Sequence, residues 1–156
     1  MAWNITIISK DKIYDPNSIK LEREVFDIFN KKVNSRYAIS YIIEGDFSEE
    51  EIKKIAENLI VDPIIEDYFI SYGDEDMKLS NIMRASRITI KYKKGVLNPN
   101  DEITFINLKR IIGERLKGLY TIHTYYIEGA SEKDLENIAN KILANRLLHE
   151  VKIEHD

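Results

Sequence analysis

The same pattern of residues occurs twice in this chain, 83 residues apart. Ile5-Thr6-Ile7 returns as Ile88-Thr89-Ile90, and Pro16-Asn17 returns as Pro99-Asn100. An apolar stripe at helical spacing also returns, with Ile52, Ile55, Ala56, Leu59 and Ile60 matched by Leu135, Ile138, Ala139, Ile142 and Leu143. Because solenoid repeats run only about 20–50 residues, this period indicates a domain duplication. We therefore predict two related units, residues 1–72 and 87–156, joined by a crossover at residues 73–86.

The composition is that of an ordinary globular protein. Hydrophobic residues make up 44% of the 156 residues and charged residues 32%, which excludes an extensively disordered chain. A unit of roughly 70 residues buries little apolar surface alone, so two copies gain stability by packing together. The net charge of -4 argues against nucleic acid as a partner, because that role usually needs a concentrated basic face.

The chain contains no cysteine, which excludes disulfides, thiolate nucleophiles and cysteine-ligated metals. Its first residues lack the basic and apolar regions of a signal peptide. No apolar run approaches the roughly 20 residues of a membrane span. We therefore expect a cytoplasmic protein that does not act at a membrane.

Each repeat reads as strand, helix, strand, helix, strand. Asp15-Pro16 and Asn98-Pro99 are typical helix starts, because Asp or Asn caps the helix and proline fits its first turn. The second helix of each repeat opens on a capping box, Ser48-x-x-Glu51 in one and Ser131-x-x-Asp134 in the other. For the first closing strand we expect Ile64, Tyr68 and Ile70 to lie on one face.

These elements predict an α+β fold with an antiparallel or mixed sheet and helices on one face in each half. The nearest precedent is the ferredoxin-like layer, and two tandem β-α-β-α-β units would pack as a pseudo-dimer. Within the crossover, residues 73–84 carry an acidic start followed by Leu79, Ile82 and Met83. We interpret this stretch as an ordered connection with a short helix capped by Asp76, since it lacks the composition of a flexible linker.

Residues suited to catalysis or metal binding are few. The histidines His123, His149 and His155 do not have metal-ligand spacing, and no nucleophile-elbow, zinc-protease or phosphate-loop motif is present. His123 lies in a strand and is expected to be a partly buried packing residue. His149 takes the place of Glu66 in the first repeat, which suggests a tolerant surface position. This pattern predicts no catalytic, metal-binding or cofactor-binding residue and does not favour a stand-alone enzyme.

Two segments carry more specific residues than structure alone requires. In the first, Lys93-Lys94-Gly95-Val96-Leu97-Asn98-Pro99-Asn100, a turn glycine and two apolar residues precede a helix start. Lys93 and Lys94 beside that start could hold an anion, although the residues by themselves favour a capped strand-to-helix connection.

The second segment is Asp62-Pro63-Ile64-Ile65-Glu66-Asp67-Tyr68. Glu66 and Asp67 point to opposite faces of a strand, so they cannot act as an acid/base pair on one substrate. The residues favour a different explanation, in which Glu66 and Asp67 are solvated charges that discourage aggregation at a sheet edge.

Tyrosine is abundant in the middle strands. Tyr37, Tyr41, Tyr120, Tyr125 and Tyr126 all fall there. Core packing explains them, but so does a protein–protein surface, where tyrosine is favoured.

The two segments together resemble the PurS family, the small subunit of phosphoribosylformylglycinamidine synthase. Residues 90–100 are similar to its opening strand and Lys-x-Gly-Val-Leu-Asp-Pro turn. Residues 59–68 are similar to its closing Leu-Leu-Ala-Asn-Pro-Val-Ile-Glu-Asp-Tyr segment. Each repeat matches a different end of the pattern: Arg146-Leu147-Leu148-His149-Glu150-Val151 replaces the second ending, and the Arg-x-Gly-Lys of the middle strand is absent from both repeats.

The resemblance implies a tandem PurS domain that serves as a non-catalytic assembly subunit in purine biosynthesis. Such a subunit bridges the PurL synthetase and the PurQ glutaminase, in a ligase complex that uses ATP, magnesium and glutamine while the subunit itself binds no cofactor. Self-association is also possible in this family. The residues expected at the partner surface are Gly95, Val96, Leu97, Asn98, Pro99, Ile64, Ile65, Glu66, Asp67 and Tyr68. The alternative function is a small-molecule-binding regulatory module built from two paired ferredoxin-like units, with Lys93 and Lys94 at its anion site.

Overall fold

The computed structural model describes residues 1–74 and 85–155. The expected short helix capped by Asp76 lies outside the described residues. The six strands are β1 Ala2–Ser9, β2 Asn34–Gly45, β3 Glu66–Tyr72, β4 Ser86–Tyr92, β5 Leu116–Glu128 and β6 His149–Glu154. The four α-helices are α1 Pro16–Phe29, α2 Glu49–Ile55, α3 Pro99–Ile112 and α4 Glu132–Ile138. The β-α-β-α-β order is thus present in both halves of the sequence.

The strands form a six-stranded antiparallel sheet in the order β3-β1-β2-β5-β4-β6. Ile5 lies opposite Ile70 where β1 pairs with β3, and Ile88 lies opposite Ile153 where β4 pairs with β6. The two closing strands, β3 and β6, are therefore the edges of the sheet. No helix among the described residues is long and apolar enough to cross a membrane.

The helices begin where the sequence predicts them. The side chain of Asp15 accepts the N–H of Ser18 at 3.1 Å, and that of Asn98 accepts the N–H of Asn100 at 3.1 Å. Both capping boxes are complete. Each box satisfies N–H groups that the first helical turn leaves without partners, so the predicted starts of α2 and α4 are confirmed.

The second helix of each half ends in a π-helical turn. These turns span Ala56–Ile60 and Ala139–Leu143. The N–H of Val61 bonds to the carbonyl of Ala56, and the N–H of Ala144 bonds to that of Ala139, both at 2.9 Å. The wider turn is followed by the short connection that precedes β3 in the first half and β6 in the second.

The chain forms two compact units, and each contains segments from both halves of the sequence. Among the described residues, unit 1 comprises residues 1–10, 39–74 and 97–122, and unit 2 comprises residues 11–38, 85–96 and 123–155. Helix α1 therefore belongs to the same unit as β4 and β6, and helix α3 to the same unit as β1 and β3.

Each unit has its own apolar core. In unit 1, Leu108 of α3 is buried with the following residues of the first half: Ile5, Ile7, Ile43, Phe47, Ile52, Ile55, Ala56 and Val61. In unit 2, Leu21 and Val25 of α1 are buried with the following residues of the second half: Ile88, Ile90, Ile127, Leu135, Ile138 and Ala139. The spacing of apolar residues along each first helix does not indicate which strands the helix covers.

Candidate partner-binding surface

The segment containing Ile64–Tyr68 forms a hydrogen-bonded turn followed by the first residues of β3. The Asp62 carboxylate accepts the N–H of Ile64 at 3.1 Å, and the Asp62 carbonyl accepts the N–H of Glu66 at 2.9 Å. In return, Glu66 Oε1 accepts the N–H of Asp62 at 2.8 Å. The turn therefore holds its shape by local bonds, and it leaves the Ile64 side chain 81% exposed.

The expected position of Ile64 was wrong. Strand β3 begins at Glu66, so Ile64 does not share a strand face with Tyr68 and Ile70. The reason is the reciprocal bonding of Asp62 and Glu66, which closes a turn over the residues between them. Tyr68 and Ile70 do pack against the core of unit 1.

A second turn with the same bonds precedes β6. The Asn145 side chain accepts the N–H of Leu147 at 2.9 Å, and the Asn145 carbonyl accepts the N–H of His149 at 2.8 Å. His149 Nδ1 accepts the N–H of Asn145 at 2.9 Å. Leu147 is 82% exposed, so each half of the chain presents one aliphatic side chain to solvent at the same point.

His149 is therefore more than a tolerant surface residue. Its partly buried ring fills the hydrogen-bonding role of Glu66 and lies edge-on against Tyr92, with ring centroids 4.7 Å apart. Burial lowers the pKa of His149 below its usual value. The lowered pKa favours the neutral ring, whose unprotonated Nδ1 the turn requires as an acceptor.

In each unit, this turn is bonded to the residue that follows the opening strand. The N–H of Lys10 donates to the carbonyl of Ile65, and the N–H of Lys93 donates to that of Leu148, both at 2.8 Å. Leu147 and Leu148 were not among the expected surface residues, because their segment lacks the Pro-Val-Ile-Glu-Asp-Tyr pattern. The signal that could have found them is the 83-residue spacing, which matches Asn145 to Asp62 and Leu147 to Ile64.

The glycine turn is formed as the sequence suggests. The N–H of Val96 donates to the carbonyl of Lys93 at 3.0 Å, and Gly95 adopts a φ of +84° that favours glycine. Lys93, Lys94, Gly95 and Val96 lie in unit 2, whereas Leu97, Asn98 and Pro99 lie in unit 1. Leu97 is 66% exposed, so it is more accessible than the partly buried Val96 of the same segment.

The start of α3 is already occupied by the chain's own groups. Asn98 accepts the N–H groups of Asn100 and Asp101, and Asp101 and Glu102 place carboxylates in the first turn. The Asp101 carboxylate also accepts the N–H and the hydroxyl of Thr121, at 3.0 and 2.7 Å. These contacts favour the capped connection. An anion site at Lys93 and Lys94 stays a prediction.

A surface pocket of about 270 Å³ lies in unit 1 beside the start of β3. The Tyr68 hydroxyl donates to Glu57 Oε1 at 2.5 Å, which raises the pKa of Tyr68. Lys10 Nζ lies 3.9 Å from Asp67 Oδ1 on the same rim. Three carboxylates and one ammonium group line this pocket, so its surroundings are acidic.

Tyr37, His123 and Tyr125 of unit 2 pack against one another. Tyr37 Oη is hydrogen-bonded to His123 Nδ1, and the ring centroids of Tyr37 and Tyr125 are 5.0 Å apart. Burial raises the pKa of Tyr125 to about 12, and Tyr126 is only 2% exposed. Packing thus explains these residues, and the prediction that His123 is a partly buried packing residue is confirmed.

Comparison with known proteins adds no family to this description. No protein-family model matches the chain, and no curated protein matches its sequence. Among the described residues, no group of three or more His, Asp or Glu side chains is arranged to hold a metal ion.

Proposed function

We propose that this chain is a non-catalytic assembly subunit of phosphoribosylformylglycinamidine synthase. In this proposal, residues 1–72 and 87–156 are two tandem PurS-like units packed as a pseudo-dimer. The chain bridges the PurL synthetase and the PurQ glutaminase in the cytoplasm. The complex uses ATP, magnesium and glutamine, and the chain supplies binding surface rather than a cofactor.

The observation that carries the proposal is the pair of turns before β3 and β6. Asp62 and Glu66 in one turn, and Asn145 and His149 in the other, make the same set of three hydrogen bonds. The residue types differ while the bonding is kept, which supports descent of the two halves from one unit. The first turn belongs to the segment that resembles PurS.

The composition of the two units supports the pseudo-dimer. Each core combines the first helix of one half with strands of the other half. Exchange of an element between two copies is a low-cost route to a dimer. Fusion of two such copies removes the concentration dependence of their pairing, because the linked halves meet at an effective concentration of about millimolar.

The exposed aliphatic residues are the proposed contacts with the partner proteins. Ile64 and Leu97 belong to the segments that resemble PurS, and they are 81% and 66% exposed. The fully buried core of a protein–protein interface is more apolar than the rest of the protein surface, so exposed aliphatic side chains such as these suit its centre.

The test is reconstitution with the PurL and PurQ proteins of the same source, in the presence of glutamine, ATP and Mg²⁺. A three-component complex whose glutamine-dependent activity requires this chain is the expected result. Ile64→Asp combined with Leu97→Asp should weaken assembly without changing the unfolding midpoint. Ile111→Asp, at a helix position that is also 66% exposed, is the matched control. If PurL and PurQ work equally well without the chain, the assembly role is wrong.

The pocket beside Tyr68 favours a second candidate, a small-molecule-binding regulatory module. Its volume of about 270 Å³ lies just below the usual range of about 300–1,000 Å³ for ligand sites. A ligand bound there would raise the melting temperature in the absence of partner proteins. Thermal unfolding of the isolated chain against a metabolite set measures this, and Tyr68→Phe should reduce the shift.

A further inference from the structure

Among the residues that the structure describes, strand β3 lies at an edge of the sheet and pairs with a strand on one side only. The bonds from Lys10 to Ile65 and from Gly73 to Ala2, both 2.8 Å, fix which backbone groups of β3 face β1. Hydrogen-bonded pairs alternate along an antiparallel ladder, so the odd-numbered residues from 65 to 73 face β1. The even-numbered residues turn their N–H and C=O groups outward.

Three consecutive outward positions have no hydrogen-bonding partner within the part of the chain that the structure describes. The N–H of Glu66 is taken by the Asp62 carbonyl at 2.9 Å. Tyr68, Ile70 and Tyr72 remain, each with one outward donor and one outward acceptor, because β3 is the last strand of the sheet on this side. An edge of this kind is a template for another strand.

The chemistry of this edge differs from that of the opposite edge. Residues 68–72 of β3 carry no charge, and Phe69 and Tyr72 are 38% and 60% exposed. Strand β6 instead carries Glu150, Lys152 and Glu154 at alternate positions. These charges also form ion pairs, at 3.5 Å between Lys91 and Glu150 and at 2.9 Å between Lys152 and Glu154. Charged side chains discourage strand addition, so β6 is protected and residues 68–72 are not.

We propose that β3 pairs with β3 of a second copy of this chain, antiparallel and about a twofold axis at Phe69. This register pairs all seven residues of the strand. It sets Phe69 opposite Phe69, Tyr68 opposite Ile70, Asp67 opposite Ser71 and Glu66 opposite Tyr72. Every carboxylate thus faces a neutral residue.

The two neighbouring registers are poorer. Outward-facing residues must meet outward-facing residues, so each neighbouring register is shifted by two positions and pairs only five of the seven residues of β3. One of them sets Tyr68 opposite Tyr68, and the other sets Glu66 opposite Asp74, which are like charges. In the proposed register the two Phe69 side chains occupy a non-hydrogen-bonded pair, where side chains approach most closely. Aromatic pairs in that position stabilise a sheet relative to pairs of alanine. The proposal does not depend on the purine-biosynthetic role.

The absence of natural cysteine allows a direct test on the full chain. At the twofold axis, Phe69→Cys places two thiols on Cα atoms about 4.5 Å apart, within the range that a disulfide spans. Oxidation with glutathione followed by non-reducing electrophoresis should give a covalent dimer. Lys152→Cys is the matched control, since it stands 83 residues later on the opposite edge strand and its side chain is 62% exposed. Equal cross-linking of the two variants would overturn the proposal.

The unmodified chain provides an independent measurement. Sedimentation velocity over a concentration series should show a reversible monomer–dimer equilibrium. Phe69→Lys should abolish this equilibrium, because two ammonium groups would meet at the twofold axis. An unchanged unfolding midpoint of the variant is the control that the substitution leaves the fold intact. A monomer throughout the series, or a dimer that survives Phe69→Lys, would refute pairing through β3.

Discussion

The assignment of α1 to the core of unit 2 can be tested by energetic coupling. Val25 of α1 is 1% exposed, and it shares its core with Ile138 of α4. Ile52 of α2 is nearer to Val25 in sequence but belongs to the core of unit 1. Ile138→Val and Ile52→Val are the same chemical change at two residues that are 1% and 0% exposed, which makes them a matched pair.

The magnitudes follow from the buried groups. Val25→Ala removes two buried carbon atoms, and the lost burial lowers the free energy of unfolding by about 1.6 kcal/mol, at roughly 0.8 kcal/mol for each carbon. The cavity left behind brings the total loss to about 2–3 kcal/mol. Each Ile→Val change costs about 1 kcal/mol. Residues that share a cavity couple by about 0.5 kcal/mol or more, whereas distant sites add within about 0.3–0.5 kcal/mol.

Urea unfolding of the single and double variants, followed by far-UV circular dichroism and by Trp3 fluorescence, gives these coupling energies. The transitions from both probes must coincide for two-state treatment. We expect Val25→Ala to couple with Ile138→Val and to add independently with Ile52→Val. The reverse result would place α1 in the core of its own half and refute the exchange of first helices between the halves.

Four further outcomes follow from local structure. Gly45→Ala should lower the free energy of unfolding by at least about 3 kcal/mol in urea titrations, because φ is +152° and a Cβ would overlap the Arg115 carbonyl oxygen. Gly95→Ala, at φ +84° with open space around it, should cost only about 1–2 kcal/mol. The pKa of His149 is lowered in the folded chain, so as the pH falls the unfolded chain takes up this proton before the folded chain does. The free energy of unfolding should therefore decrease as the pH drops below about 6.5. Melting temperatures measured between pH 8 and 5 should show this decrease, and it should be smaller in His149→Gln. The Arg115 guanidinium lowers the pKa of Glu51 to about 2, and NMR titration of Arg115→Gln should show the Glu51 pKa moving back toward its ordinary value.

The local elements could be predicted because short-range chemistry decides them. Asp15 and Asn98 cap their helices, and Ser48 and Ser131 open capping boxes. In each case the hydrogen-bonding partner stands within three residues along the chain. Such contacts form whatever the rest of the chain does, so a sequence pattern is sufficient to identify them.

The candidate surface was only partly predictable. The motif identified Ile64–Tyr68, but the reciprocal bonds of Asp62 and Glu66 moved Ile64 from the strand into a turn. The matching turn that exposes Leu147 was missed, since a histidine there fills the role of a glutamate. A residue pattern identifies a hydrogen-bonding group by its type, whereas the turn requires only an acceptor in the right place.

By itself, the sequence determined the order of strands and helices, their capped starts and the faces that must be buried. Only the tertiary structure decided the strand order in the sheet, the edge positions of β3 and β6, and the assignment of α1 and α3 to the two cores. The physical reason is that the spacing of apolar residues shows which face of a helix or strand must be buried, but not which surface that face packs against. Two halves with similar apolar faces offer each first helix two comparable sets of strands, and long-range packing selects between them.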